Sequence, residues 1–262
     1  MTAAVESTAA PPGRSGGGHT RFGRVLYAVL WVLCRTLGVA LFGIRVRFAE
    51  KLPGHGGLLV LSSHQSHLDP LLLGLATDRR LSSLARSSLY RFKPFGFVIT
   101  ALDAVPVDRE SSAVAGMRAV IERLRRGAAV IVFPEGTRTA DGRLGEIKGG
   151  LSVIARRAGV PIVPVAIVGA YECWPRTRRF PRPGRIRLEF GRIMSPGEIA
   201  ALDDAALTAE VATRLRHLDA VARAARCHSP SPSGRGPVLI SPSPSGRGPV
   251  LISPSPSGRG PG

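Results

Sequence analysis

Residues 56–76 read GGLLVLSSHQSHLDPLLLGLA. The short apolar run GGLLVLS (56–62), bounded by glycines on one side and a polar turn on the other, reads as a strand buried on both faces. DPLLLGLA reads as the start of a helix, with Asp69 as its N-cap and Pro70 at the first helical position. The strand ends at Ser62; between the two elements lie Ser63, His64, Ser66 and His67, with Asp69 closing the turn. In open α/β sheets the strand-to-helix turns are where ligands bind.

Outward from this turn, strands and helices alternate over residues 50–192. GFVITALDAVPVD (96–108) reads as a strand or loop-strand, and SSAVAGMRAVIERLRRG (111–127) as a helix with apolar residues at helical spacing that stops at Gly127. AAVIVFPEG is a buried strand ending in a Pro-Glu-Gly turn, and KGGLSVIARRAG (148–159) is a short helix closed by Gly159. PIVPVAIVGA (161–170) and RIRLEFG (185–191) are further strands, and a polar helix follows at about 203–226. The expected fold is α/β: a mixed, largely buried β-sheet flanked by helices.

The turn itself offers a chemistry. On one continuous helix His64 and Asp69, five residues apart, would face different ways, whereas across a loop that turns into a helix cap they converge. A carboxylate on one ring nitrogen fixes the tautomer and leaves the other nitrogen as a base. His67, only two residues before Asp69, suits that pairing less well. Ser63 is a poor nucleophile partner for His64, because adjacent side chains of an extended segment diverge, and no G-x-S-x-G elbow is present here. A metal site of His64, His67 and Asp69 lacks the cysteine or third histidine expected of zinc, so no metal is expected. Read alone, Asp69-Pro70 needs no more than a helix cap to explain it.

Charge and composition set the surroundings. The 262 residues carry a formal net charge of +18, which favours anionic partners. Cys34, Cys173 and Cys227 lie far apart and read as reduced thiols. The segment 1–20 is small and polar and is expected to be disordered, without a secretory signal. From Arg24 to Arg45 the chain is almost wholly apolar, interrupted by Arg35 and Thr36. It approaches the length of a membrane span, but its central arginine disfavours a clean crossing. It is expected to be a membrane-interface helix over 21–48, anchored by Tyr27, Trp31 and the flanking arginines, the plainer alternative being a buried core helix. At the other end SPSPSGRGPVLI occupies 229–240, recurs at 241–252 and begins again at 253. That composition buries no core, so 227–262 is expected to be a disordered repeat tail. Spaced aromatics for stacking bases are absent, and specific nucleic-acid binding is not expected.

Two more loops matter beside the histidine turn. FPEGTR (133–138) ends the strand AAVIV with a glycine and with donors suited to phosphate, and AVPVDR (104–109) puts Arg109 after an apolar run. Each alone reads as an ordinary turn. Together, SHQSHLD, AVPVDR, FPEGTR and the IVPVAI of 162–167 resemble, in order and separation, the four blocks of the glycerolipid acyltransferases, the 1-acylglycerol-3-phosphate acyltransferase group. The resemblance covers about residues 20–220, with an acyltransferase domain over 49–226. It implies that His64 is a general base oriented by Asp69. It implies an acceptor and phosphate site of Arg109, Glu135, Gly136, Thr137 and Arg138, and an acyl-donor region near Pro164. Lys148 and Gly149 resemble the lysine-glycine that follows the third block. No cofactor is implied: the donor substrate is acyl-coenzyme A or acyl-carrier protein, the acceptor a lysophospholipid, and the setting the anionic, cytoplasmic face of the cell membrane. Ser63 stands where the family has asparagine and Asp103 where it has glycine, which leaves lysophosphatidate, a lyso-ornithine lipid or another lyso-lipid as acceptor. Outside the transferases, a thioester hydrolase and a non-catalytic basic membrane-binding protein remain as readings. The arginines of 176–187 face anionic lipid, the phosphates of coenzyme A, or only solvent.

Overall fold

The computed structural model describes residues 36, 38, 40–86, 104–107 and 113–227. Seven strands form one sheet: β1 (Arg45–Phe48), β2 (Leu58–Ser62), β3 (Leu81–Arg86), β4 (Ala104–Val107), β5 (Ala129–Val132), β6 (Ile162–Val168) and β7 (Arg187–Phe190). Their order across the sheet is β1-β7-β6-β2-β5-β3-β4. The helices are α1 (Asp69–Ala76), α2 (Ala113–Arg125), α3 (Gly150–Ala158), the single turn α4 (Ala170–Cys173), α5 (Pro196–Ala201) and α6 (Asp204–Cys227).

β6, β2, β5, β3 and β4 run parallel, while β7 is antiparallel to β6 and parallel to β1. The sheet is therefore mixed, as expected. β2 lies near its centre, and all five of its residues are fully buried. Its side chains alternate between two cores, as the period of a strand requires. Leu58 and Val60 pack with Leu72 and Leu73 of α1, whereas Leu59 and Leu61 pack with residues of α2, α3 and α6 such as Leu124, Ile154 and Leu215. Burying each such side chain stabilises the fold by about 1.5–3 kcal/mol, so the sheet centre is the rigid platform from which the histidine turn projects.

The helix expected at 148–159 ends as anticipated: Gly159 takes a φ of 64° and donates to the Ala155 carbonyl. Two local expectations change. Residues 45–48, taken in the sequence as the end of the apolar helix, form the edge strand β1 in register with Arg187–Phe190. Asp69 is not the N-cap of α1; Leu68 holds that position, and Asp69 is the first helical residue. Its carboxylate turns back toward the loop instead. Arg109, both terminal segments and most of the apolar run 24–44 lie outside the described residues. Among the described residues no helix is long and apolar enough to cross a membrane.

Candidate active site

The turn leaves β2 at Ser62 and reaches α1 at Asp69. Its three serines are spent on the main chain. Ser63 Oγ accepts from the Ile167 N–H at 3.1 Å, Ser66 Oγ donates to the Trp174 carbonyl at 2.7 Å, and Ser62 Oγ donates to the Ser63 carbonyl. None of these hydroxyls bonds to His64, which removes the acyl-serine arrangement from the turn.

Asp69 Oδ2 gathers three partners. The Gln65 and Ser66 N–H groups donate to it at 2.6 and 2.7 Å, and His64 Nδ1 lies 2.9 Å away. The two main-chain bonds wind the loop tightly enough to bring residue 64 over residue 69. With Nδ1–H donating to the carboxylate, Nε2 keeps its lone pair, and it has no hydrogen-bond partner among the described residues. The ring of Phe133 stacks on the imidazole with centroids 3.9 Å apart and planes 16° apart, which fixes the ring's orientation. The His64 side chain is 20% exposed and that of Asp69 is fully buried. Burial pushes the Asp69 carboxyl above its ordinary value, against the opposing pull of His64 and the two N–H groups. Asp69 Oδ1 is buried and lacks a hydrogen-bond partner among the described residues, in keeping with that direction.

The loop after β5 grips the His64 main chain from both sides. Glu135 Oε1 accepts from the His64 N–H at 2.8 Å, and the Thr139 N–H donates to the His64 carbonyl at 2.8 Å. Glu135 Oε2 accepts from the Gly145 N–H at 2.8 Å. Both oxygens of this buried carboxylate are thus committed to main-chain donors, and burial raises its pKa from the ordinary value. Glu135→Ala should lower stability by about 1–3 kcal/mol, the cost of orphaning a shielded N–H, and lower kcat with little change in the acceptor KM. Thermal melting and steady-state kinetics check this. A rise in acceptor KM at unchanged kcat would instead make Glu135 a direct acceptor ligand.

Gly136, at a φ of 69°, donates to the Phe133 carbonyl and closes the Pro-Glu-Gly turn. Lys148 N–H bonds the Pro134 carbonyl, and its Nζ lies 3.1 Å from where a side chain at Gly136 would start. Thr137 is exposed beside them. The Arg138 guanidinium rests on the imidazole of His67, 2.6 Å from Nε2, and His67 lies 5.3 Å from the Trp174 ring. Burial, then Arg138 and His64, hold the His67 pKa below its ordinary value. Pro164 is buried within β6 opposite Leu61, its carbonyl accepting from Gly191, so it belongs to the sheet beneath the turn.

The structure therefore brings His64, Asp69, Glu135, Gly136, Thr137 and Arg138 together at the carboxyl ends of β2 and β5. Among the described residues no group of three or more His, Cys, Asp and Glu is placed to hold a metal ion. Five supporting residues have no signature in the sequence. Phe133 stacks on the imidazole. Thr139 grips His64. Gln65 Nε2 and Arg223 Nη2 both donate to the Gly142 carbonyl, at 3.0 and 2.6 Å. Tyr171 donates to the Ala140 carbonyl at 2.6 Å. These contacts join segments far apart in the chain, and no local pattern announces them.

A family model described as Acyltransferase matches residues 43–168, the interval that holds the histidine turn, the loop after β5 and Pro164. The crystal structure of the 1-acyl-sn-glycerophosphate acyltransferase PlsC from Thermotoga maritima superposes with a TM-score of 0.60 at 26% identity, covering 76% of this chain and 82% of that one. The chain belongs to the PlsC-like acyltransferase family. Among curated relatives, the 1-acyl-sn-glycerol-3-phosphate acyltransferase of Bacillus subtilis is 27% identical over 182 residues, 68% of this chain and 88% of that protein. The chloroplastic 1-acyl-sn-glycerol-3-phosphate acyltransferase of Brassica napus is 34% identical over 129 residues, 48% of this chain and 37% of that protein. The chain thus spans well under half the length of its chloroplast relatives. In this chain the first and third sequence blocks meet at the carboxyl ends of β2 and β5, and the fourth is β6, paired with β2.

Proposed function

We propose that the protein transfers a fatty acyl group from a thioester to the free hydroxyl of lysophosphatidate, giving phosphatidate. The observation that carries this reading is the 2.9 Å contact of His64 Nδ1 with the buried Asp69 carboxylate, which leaves Nε2 as the base. Nε2 takes the hydroxyl proton as the acceptor oxygen attacks the thioester carbonyl carbon. The carbon–sulfur bond then breaks, and the leaving thiolate takes a proton from the imidazolium. The products are one ester and one free thiol, without an acyl-enzyme. Asp69 supports the imidazolium charge, and Glu135 and Phe133 hold the ring in place. Arg138, with Arg109, holds the acceptor phosphate beside Gly136 and Thr137, a role suited to guanidinium geometry. Acyl-coenzyme A or acyl-carrier protein is the donor, approaching over β6 near Pro164. The reaction takes place at the anionic cytoplasmic face of the cell membrane, and the acceptor names of the relatives support the choice of lysophosphatidate.

The test is incubation of membranes containing the protein with labelled acyl-coenzyme A or acyl-carrier protein and lysophosphatidate. Labelled phosphatidate is the expected product. Ester formed only on other lyso-lipids would replace the acceptor and keep the mechanism. Free fatty acid released equally with and without acceptor would overturn the transferase reading in favour of thioester hydrolysis.

A further inference from the structure

The histidine turn is held in part from a helix beyond the interval that the family model matches. α6 spans Asp204–Cys227, whereas the match ends at residue 168. Near the end of α6, Asp219 and Arg223 stand at the i, i+4 spacing at which helical side chains meet. Arg223 Nε donates to Asp219 Oδ2 at 2.6 Å, and Nη2 donates to Asp219 Oδ1 at 3.1 Å. Nη2 carries a second hydrogen, and it reaches the Gly142 carbonyl at 2.6 Å, 81 residues earlier in the chain. The side-on pair fixes the plane of the guanidinium, so Asp219 aims the remaining donor.

The carbonyl it reaches lies one side chain from the catalytic pair. Gly142 O also accepts from Gln65 Nε2 at 3.0 Å, so both of its lone pairs are engaged. Gln65 sits between His64 and Ser66 and is 1% exposed. Its main-chain N–H makes the shortest contact to Asp69 Oδ2, 2.6 Å. Gln65 Oε1 is buried and has no hydrogen-bond partner among the described residues, which leaves the Gly142 carbonyl as the polar anchor of that side chain there. A second path starts from the Gly142 N–H, which donates to Thr139 Oγ1 at 3.2 Å, while the Thr139 N–H donates to the His64 carbonyl.

We infer that Arg223 is a positioning residue for His64: through the Gly142 carbonyl, the Asp219–Arg223 pair fixes the loop and the Gln65 side chain that set the direction of the imidazole. Neighbouring contacts brace the same junction. Tyr171 of α4 donates to the Ala140 carbonyl, Arg226 of α6 pairs with Glu172 of α4 at 2.6 Å, and Ser66 Oγ donates to the Trp174 carbonyl just past α4. The Arg223 side chain is 40% exposed, so it buries little apolar surface and acts by direction. Its role rests on the proposed reading of His64 as the base.

The experiment compares the full chain with Arg223→Gln, Asp219→Asn and Arg214→Gln. Arg214 is the control: it forms the same i, i+4 pair on α6, with Glu210 at 2.7 Å, and bonds to no loop among the described residues. Without substrates, proton NMR of the Nδ1–H shared with Asp69 reads the geometry. The signal should be as sharp in Arg214→Gln as in the unaltered chain, and broadened or lost in Arg223→Gln. In acyl transfer, kcat should fall about 10–100-fold in Arg223→Gln, the scale of a slightly misplaced reacting group, with both KM values within about twofold. Asp219→Asn, which keeps the guanidinium but loosens its aim, should lose less in the same direction and serves should Arg223→Gln fold poorly. Melting temperatures of Arg223→Gln and Arg214→Gln should agree. An unchanged Nδ1–H signal would overturn the positioning role whatever the turnover. A raised KM at unchanged kcat would make Arg223 a substrate ligand instead. Equal losses of kcat in Arg223→Gln and Arg214→Gln would reduce Arg223 to a stabiliser of its helix. Absence of acyl transfer in the unaltered chain would sink the proposed reaction, and the NMR comparison would still decide the role of Arg223.

Discussion

His64→Ala and Asp69→Asn should each lower acceptor-dependent acyl transfer by about 10²–10⁴-fold, the range for loss of a positioned general base, and the double variant should lose no more than the worse single one. The reason is geometric. In the proposed mechanism Asp69 acts on the substrate only through the imidazole 2.9 Å away, so the two residues would work as one unit. The stability of Asp69→Asn separates a positioning role from a structural one. Burial raises the folded pKa of Asp69 above its ordinary value. A carboxyl shifted in that direction contributes stability below its unfolded pKa, about 4, and loses that contribution as the pH rises through the higher folded value. Ionising this buried carboxyl therefore costs the fold stability, and asparagine should leave the melting temperature unchanged or raise it. Turnover assays and thermal melting at pH 7 and 5 check both halves. Full activity in either single variant would remove the base assignment, and a large fall in melting temperature would make Asp69 chiefly structural.

The largest loss of stability is expected at Gly169. This residue links the carboxyl end of β6 to α4 at a φ of 94°, a conformation that side chains rarely adopt. A Cβ there would stand 2.0 Å from the Arg185 carbonyl oxygen and 3.2 Å from the Arg226 guanidinium carbon. The first contact is with main chain that is itself fixed by the Arg45–Ile186 hydrogen bond, so it cannot swing aside as a side chain would. Gly169→Ala should cost about 3–5 kcal/mol, backbone strain and overpacking together, a large part of the total stability of an ordinary domain. Denaturant melts measure it. A change under about 1 kcal/mol would mean that β7 can move away from β6 at little cost.

Much of this architecture was legible because the central strands are uniformly apolar. LLVLS, AVIV and IVPVAIV have no solvent face, and each ends in a polar turn or a glycine. β1 escaped notice for the opposite reason. Its RVRF is an edge strand with half-exposed residues and two arginines, attached directly to a longer apolar run that dominates any window. α5 carried a readable signal: Ser195 and Glu198 form a reciprocal capping box, with Pro196 at the first position. At the site, the His64–Asp69 spacing pointed to convergence, and the structure supplies it. What spacing could not reveal was the direction of the Asp69 carboxylate. An aspartate that caps a helix and one that turns back onto Gln65 and Ser66 are written with the same letters. Glu135 is a similar case: its partners are a main-chain N–H 71 residues earlier and one 10 residues later, and neither has a sequence signature.

The strand order also has a consequence for synthesis. β5 sits between β2 and β3, although both precede it in the chain. A nascent chain that has delivered β2, the histidine turn and α1 has no partner for the His64 N–H and C=O until Glu135 and Thr139 emerge, and the carboxylate is fully engaged only when Gly145 follows. Fragments ending before that glycine would contain both the histidine and the aspartate yet lack the grip that aims them. The geometry of the turn is thus completed only past the middle of the chain, with the insertion of a middle strand rather than with the histidine and aspartate themselves.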